Sequence, residues 1–268
     1  MLDAAAGWAR ARGCNELTGS FNLSITQIIG IVTEGYERAP YTYQEWTPPH
    51  IPRLLATCGF EEFFPMRTFE IDVGDCEPQL LLGANQRALL ADRAWRFEPI
   101  RRRNFDRRLL EACEVLNDGF AQNAMFVPLT GEEFLFPCAG MMWIIDERLS
   151  WTAYHDGEPV GVLICVPDLN PFLRATDFRV KWTTLWHLIS SRQRRQRAAI
   201  IFFSVRRAFH GLGVNGVMLH HTLSAMRKAG YTHLGVSWVS DGNKASLRQM
   251  EKLGARPLHR LNLFRKAL

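Results

Sequence analysis

Phe203-Ser-Val-Arg-Arg-Ala-Phe-His-Gly-Leu-Gly-Val-Asn-Gly-Val-Met-Leu219 is the stretch on which the reading of this chain turns. The apolar run Ala198–Val205 predicts a strand, and Val217–Ala229 predicts a helix. A strand that ends in a glycine-rich turn and opens a helix points several backbone N–H groups at one spot. The positive end of the helix dipole lies behind them. His210, Gly211, Leu212, Gly213, Val214, Asn215 and Gly216 are therefore expected around a phosphate or diphosphate, with glycine letting the anion approach the backbone. An ordinary strand-to-helix turn that uses glycine for its geometry is the plain alternative. A Walker A loop is excluded, because no Lys-Ser/Thr follows these glycines. Gly211-Leu-Gly213-Val-Asn-Gly216 fits the dinucleotide string literally, but it comes late in the chain and no acidic residue ends a strand about 20 residues on.

Working outward, a helix–strand–helix–strand order occurs twice. Near the C-terminus it reads Val217–Ala229, Gly230-Tyr-Thr-His-Leu-Gly-Val-Ser237, a helix ending Lys252-Leu-Gly254, and strand Arg256–Lys266. Near the N-terminus it reads Leu2–Arg12, Gly13-Cys-Asn-Glu-Leu-Thr-Gly-Ser20, Ile51–Cys58 closed by Gly59, and strand Phe63–Val73. Gly13, Leu17, Ser20 and Gly59 align with Gly230, Leu234, Ser237 and Gly254, which points to homologous halves. The glycines would supply the left-handed residue that ends each helix. The first copy carries an extra loop, about Ile25–Trp46, and lacks the strand and glycine loop that should precede Leu2. It is expected to be a truncated product or a platform that does not bind the same ligand.

Between the copies the chain predicts a linker with a short helix (Asn85–Asp92), strand Ala94–Ile100, and helices Phe105–Phe120 and Gly131–Ile145. Strands Leu149–His155 and Pro159–Val166 follow, joined by the hairpin signal Asp156-Gly157. The expected fold is α/β, a mixed sheet flanked by helices. The expected organisation is a partial repeat (1–75), a linker (76–93) and a complete domain (94–268).

The six cysteines form no CxxC pair, so neither a zinc site nor a disulfide framework is expected, and a reducing, cytoplasmic setting suits them. Lys+Arg 32 against Asp+Glu 27 is too small an excess to argue for nucleic acid. It suits an anionic small ligand, an acidic carrier protein or a membrane surface equally. The longest apolar stretch, Phe134–Ile145, is broken by Pro137 and Gly140 and is shorter than the roughly 20 residues that span a bilayer. The sequence leaves the oligomeric state open.

His210-x-x-Gly213-x-Asn215 resembles the Q/R-x-x-G-x-G/A motif of the GNAT superfamily, which binds the diphosphate of acetyl-CoA. Asn243-Lys-Ala-Ser-Leu-Arg-Gln-Met-Glu-Lys-Leu-Gly254 resembles that family's closing motif, N-x-x-A-x-x-x-Y-x-x-x-G. Val160-Gly-Val, Pro167-Asp-Leu-Asn170, Phe126-Val-Pro-Leu-Thr130 and Gly19-Ser-Phe-Asn-Leu-Ser24 look like a subfamily of bacterial tandem-GNAT proteins. Some members of that subfamily are ceramide synthase-like long-chain N-acyltransferases. The resemblance implies transfer of an acyl group from acetyl-CoA, a longer acyl-CoA or an acyl carrier protein thioester to an amine, with no metal. It departs from the pattern at Met250, where many members carry a Tyr that protonates the leaving thiolate; Met cannot donate a proton.

The resemblance further implies that a backbone N–H of Ser204 or Val205 polarises the thioester carbonyl. Asp168 is the candidate base, with a turn-forming Asp beside Asn170 as its plain alternative. Asn243 could meet the cofactor or simply cap the helix that follows it. His210 could neutralise phosphate or stand on the surface. Arg192–Arg197 could meet the 3′-phosphate or an acidic carrier, or be a solvated loop. Phe178–Ser190, with Trp182, Leu185 and Trp186, could rest on the inner face of the membrane or pack on the sheet. A non-catalytic ligand-sensing module on the same fold is the rival class.

Overall fold

The structure, a computed structural model, describes residues 1–20, 28–123, 126–177, 179 and 196–268. In chain order the first elements are α1 (Leu2–Arg10), β1 (Glu16–Gly19), β2 (Ile31–Glu34), α2 (His50–Thr57), β3 (Glu61–Asp72), α3 (Ala84–Ala91), β4 (Trp95–Pro99) and α4 (Phe105–Phe120). Next come α5 (Gly131–Cys138), α6 (Met141–Ile144), β5 (Trp151–His155), β6 (Glu158–Pro167), α7 (Asn170–Ala175) and β7 (Arg197–Val205). The last are α8 (Val214–Ala229), β8 (His233–Ser240), α9 (Lys244–Lys252) and β9 (Arg256–Ala267). Packing groups Met1–Glu70 with Val236–Leu268 as one unit and Ile71–Gly235 as the other.

Within Ile71–Gly235, β4, β5, β6 and β7 lie in that order, each antiparallel to the next. The β5–β6 turn places Asp156 and Gly157 at φ 49° and 88°, the type I′ geometry that Asp-Gly favours. β6 is buried from Val160 to Pro167 because helices cover both of its faces. Val162, Ile164 and Val166 enter a core with Phe105, Leu109 and Leu116 of α4 and Phe134, Cys138 and Met141 of the next two helices. On the opposite face, Gly161 admits α8: a Cβ there would stand 3.2 Å from Val214 and 3.0 Å from Met218. The N–H groups of Thr232 and His233 both donate to the Gln196 carbonyl, at 2.7 and 3.0 Å. β8 thus begins beside the start of β7 and runs parallel to it, with α8 as the crossover, and the sheet is mixed.

The segment between β3 and β4 is a strap along α8. Glu77 pairs with Arg227 (3.0 Å), the Pro78 carbonyl lies 2.9 Å from His220 Nδ1, and Leu89 of α3 is buried.

In the other unit, β9 takes β3 along one edge and carries β2 and β1 along the other. Ile31, Phe60 and Phe264 form a small core against Leu2, Leu17, Ile51 and Leu55. His259 is buried with both ring nitrogens engaged, at 3.0 Å from Thr68 Oγ1 and 3.0 Å from the Arg38 carbonyl. The four helix-ending glycines hold the expected left-handed conformation, with φ of 77°, 80°, 80° and 63° at Gly13, Gly59, Gly230 and Gly254.

Two expectations need correction. Ile25–Trp46 is not all loop: Ile31–Glu34 forms β2, a four-residue strand whose partner lies more than 200 residues away on β9. The predicted helix Gly131–Ile145 is two helices, because the chain turns at Gly140, shortly after Pro137 removes a backbone donor. Of the segments Phe178–Ser190 and Arg192–Arg197, all but Arg179, Gln196 and Arg197 lie outside the described residues.

Candidate functional site

The site is assembled at the C-terminal end of β7. Ile164 pairs with Phe202 but Cys165 with Ile200, so Ile201 is an extra residue bulging from β7. Beyond the bulge the register is regular, with Val162 opposite Ser204 and Gly161 opposite Val205. The N–H of Arg206 donates to Val160 at 2.8 Å. Donors alternate along a strand, so the N–H of Ser204 also points at β6, while those of Phe203 and Val205 point away from it. The Ser204 hydroxyl is turned toward α4, against Gly119. Sequence reasoning named Ser204 and Val205 but not Phe203, whose orientation follows only from the ladder.

A single 3₁₀ turn, Arg207–Phe209, carries the chain into the glycine loop. His210 is exposed, yet its Nε2 lies 2.8 Å from the Val205 carbonyl, which can only accept, so the imidazole donates there. Gly211 and Gly213 take φ of 79° and 98°, and Gly213 is the N-cap of α8. Val214 is buried and seats the first turn on β6. The N–H groups of Gly216 and Val217 return to the Gly213 carbonyl at 3.0 and 3.3 Å. Those of Gly211, Leu212, Gly213, Val214 and Asn215 have no acceptor among the described residues. Gly211, Leu212 and Asn215 are exposed, and the first turn of α8 holds no acidic residue. Unanswered donors at a helix N-terminus can receive water or an anion.

The three glycines have different physical reasons. A Cβ on Gly211 would meet nothing within 4 Å. At Gly213 it would stand 2.6 Å from Gln86 Nε2, and at Gly216 it would be 3.2 Å from both Gln86 Nε2 and the Leu81 carbonyl. Gly216 therefore lets the strap pack closely on α8.

Helix α4 holds the junction in place. Asp118 accepts the Arg207 N–H at 2.7 Å and its guanidinium at 3.1 Å, and Glu114 pairs with Arg206 at 3.1 Å. The Arg207 N–H, before its guanidinium, holds the Asp118 carboxyl below the usual range. At the next residue, a Cβ on Gly119 would overlap Ser204 Oγ and come within 2.9 Å of the Val205 carbonyl. Glycine at 119 is thus what lets α4 lie against the strand end.

Asp168 lies apart from the loop. Asp168 has a side chain only 1% exposed, with Oδ2 3.4 Å from Arg197 Nε and Oδ1 accepting the Asn170 N–H at 3.1 Å. It sits beside the first residue of β7, and Val205 is the last, about 25 Å away along an extended strand. Asn243 accepts the Ser246 N–H at 3.1 Å and caps α9, on which Met250 is buried. Among the described residues no group of three or more His, Cys, Asp or Glu side chains is placed to hold a metal ion.

The model of the acetyltransferase (GNAT) family matches residues 121–255, half of the chain. A bacterial ceramide synthase of Caulobacter vibrioides is 26% identical over 278 residues, covering 100% of this chain and 71% of its own length. A GCN5-related N-acetyltransferase from Sphaerobacter thermophilus superposes with a TM-score of 0.54 at 15% identity, over 85% of this chain; the chain spans 57% of that structure's length. A tandem GNAT protein from the clavulanic acid biosynthesis pathway gives a TM-score of 0.53 at 11% identity, covering 98% of this chain and 67% of its own. At these identities the two structures establish the shared fold.

Proposed function

Because this chain belongs to the acetyltransferase (GNAT) family and is an N-acyltransferase, we propose that Val205–Gly216 holds the diphosphate of an acyl-CoA while the thioester lies along the end of β7. The observation that carries this is the set of five loop N–H groups with no protein acceptor among the described residues, exposed to solvent at Gly211, Leu212 and Asn215 and ahead of an acid-free helix turn. The N–H groups of Val205 and Phe203 point away from β6 and are the donors for a developing oxyanion. The amine attacks the carbonyl directly, and holding both reactants together provides much of the acceleration. Asp168, ion-paired at the far end of β7, leaves the ammonium proton to water or to another group. Buried Met250 gives no proton to the thiolate, which leaves as the anion or takes its proton from water.

For the donor we propose a long-chain acyl thioester, and for the acceptor a lipid-like amine. Two observations support this. The Caulobacter relative aligned over the whole chain carries the name ceramide synthase. Phe134, Cys138 and Met141 also pack with Ile201 and Phe202 at the β7 bulge, an apolar wall beside the reacting end of the strand. An acyl carrier protein would serve as donor through the same pantetheine arm. Exposed Phe136 on α5 suits contact with the inner face of a membrane; no described helix is long and apolar enough to cross one.

Free thiol should appear when the protein is mixed with acyl-CoA and a long-chain amino alcohol. The rate should rise with acyl length from acetyl to palmitoyl. Activity confined to acetyl-CoA would end the lipid reading, and no thiol release across a broad amine panel, with CoA binding intact, would favour a sensing module.

A further inference from the structure

We propose that Gln86, a residue of the strap rather than of the loop, donates a side-chain N–H to the same diphosphate; this rests on the reading of the loop given above. Gln86 lies on the first turn of α3, which packs against α8 and buries Leu89. Its amide lies across the loop: Nε2, Cδ and Cγ are the three atoms nearest to a Cβ built on Gly213, at 2.6, 3.0 and 3.4 Å. Nε2 and Cγ are likewise 3.2 Å from a Cβ built on Gly216. Two glycines of the loop are therefore shaped around this one side chain. Among the described residues the Gln86 amide makes no hydrogen bond, and the side chain is only partly buried, so its N–H groups remain available to a ligand. The adjoining N–H groups of Gly211 to Asn215 are in the same condition. An anion received by those backbone donors meets the Gln86 carboxamide beside Gly213. The strap fixes that position through Glu77–Arg227 and Pro78–His220. His210, by contrast, spends Nε2 on the Val205 carbonyl. A neutral amide adds a directed donor to an anion without a further charge, and it cannot form the ion pair with a nearby carboxylate that a Lys would.

Isothermal titration of the full chain with CoA, dephospho-CoA and 4′-phosphopantetheine tests this, using Gln86→Ala and the equal-sized Gln86→Glu. A lost bond to a charged group corresponds to a weakening of about tenfold or more. Gln86→Ala should therefore bind CoA about tenfold more weakly. The penalty should persist with dephospho-CoA, which keeps the diphosphate, and vanish with phosphopantetheine, which lacks it. Gln86→Glu, keeping size but replacing the donor with a negative charge, should bind more weakly still. Unchanged or tighter CoA binding by Gln86→Ala would overturn the proposal, tighter binding meaning that Gln86 obstructs the loop. A penalty that disappears with dephospho-CoA would also overturn it, moving the contact to the 3′-phosphate. Failure of the unaltered protein to bind any of the three would instead refute the loop as a diphosphate site.

Discussion

Gly213→Trp is expected to abolish CoA binding, with affinity falling by at least about 100-fold, because several hydrogen bonds to a charged group are lost together and each contributes about 1.5–3 kcal/mol. Gly213 holds φ 98° at the N-cap of α8, where a residue with a Cβ incurs about 1–2 kcal/mol. The direction a side chain would take is filled by Gln86, 2.6 Å away. An indole there must displace the Gln86 side chain and, with the backbone cost at Gly213, disturbs the donors of Gly211 to Asn215. Gly211→Ala is the control. Its φ of 79° carries a similar backbone cost, but nothing stands within 4 Å of the new methyl. It should therefore lose about 1–2 kcal/mol of stability and keep most of its affinity. Titration calorimetry with melting curves separates the two, and equal losses of binding would show that the loop needs glycine for flexibility rather than for space.

Gly119→Ala is expected to lower the melting temperature by about 4–8 °C, the consequence of about 2 kcal/mol of overpacking in a chain of this size. The new methyl overlaps Ser204 Oγ and approaches the Val205 carbonyl to 2.9 Å. The hydroxyl can be removed, but the carbonyl is backbone and cannot. Ser204→Ala in the Gly119→Ala background should therefore recover part of the loss and leave the rest. Because Asp118 and Gly119 together set where β7 ends, the single variant should also weaken CoA binding, more than its loss of stability would imply. Scanning calorimetry on the four members of this cycle decides the matter: strictly additive melting shifts would mean that Ser204 is not the obstacle.

Much of this architecture is written in local patterns. Phe105–Phe120 is helical as its apolar spacing predicts, Asp156-Gly157 turns the hairpin, and left-handed glycines end four helices at the positions expected. Each of those depends on neighbours in sequence. Contacts between distant segments were not legible. Ile31–Glu34 is a strand because β9 offers an edge, and nothing in four residues among Gly, Tyr and Pro announces that. Gly119 looks like a mere weak point in a helix until Ser204 is placed beside it, and Asp118 reaches Arg207 across 89 residues. Gln86 has no motif at all. Its importance comes from a strap that the sequence presents as a linker.

The candidate site divides along the same line. The glycine loop could be read directly, since backbone donors need only a strand, a turn and a helix. Side-chain roles could not. His210 could meet phosphate or stand on the surface, and it is exposed with Nε2 bonded to the Val205 carbonyl, while Asp168 followed an apolar strand whose other end, not its own, adjoins the loop. The choice between Ser204 and Val205 needed the register against β6, which no single strand reveals.

Amide hydrogen exchange across residues 210–217, measured with and without a long-chain acyl-CoA, reaches the central claim most directly. The N–H groups of Gly211 to Asn215 have no acceptor among the described residues, so they should exchange quickly alone and become strongly protected when the thioester binds. Tight binding that leaves exchange in this loop unchanged, with protection arising elsewhere, would contradict it.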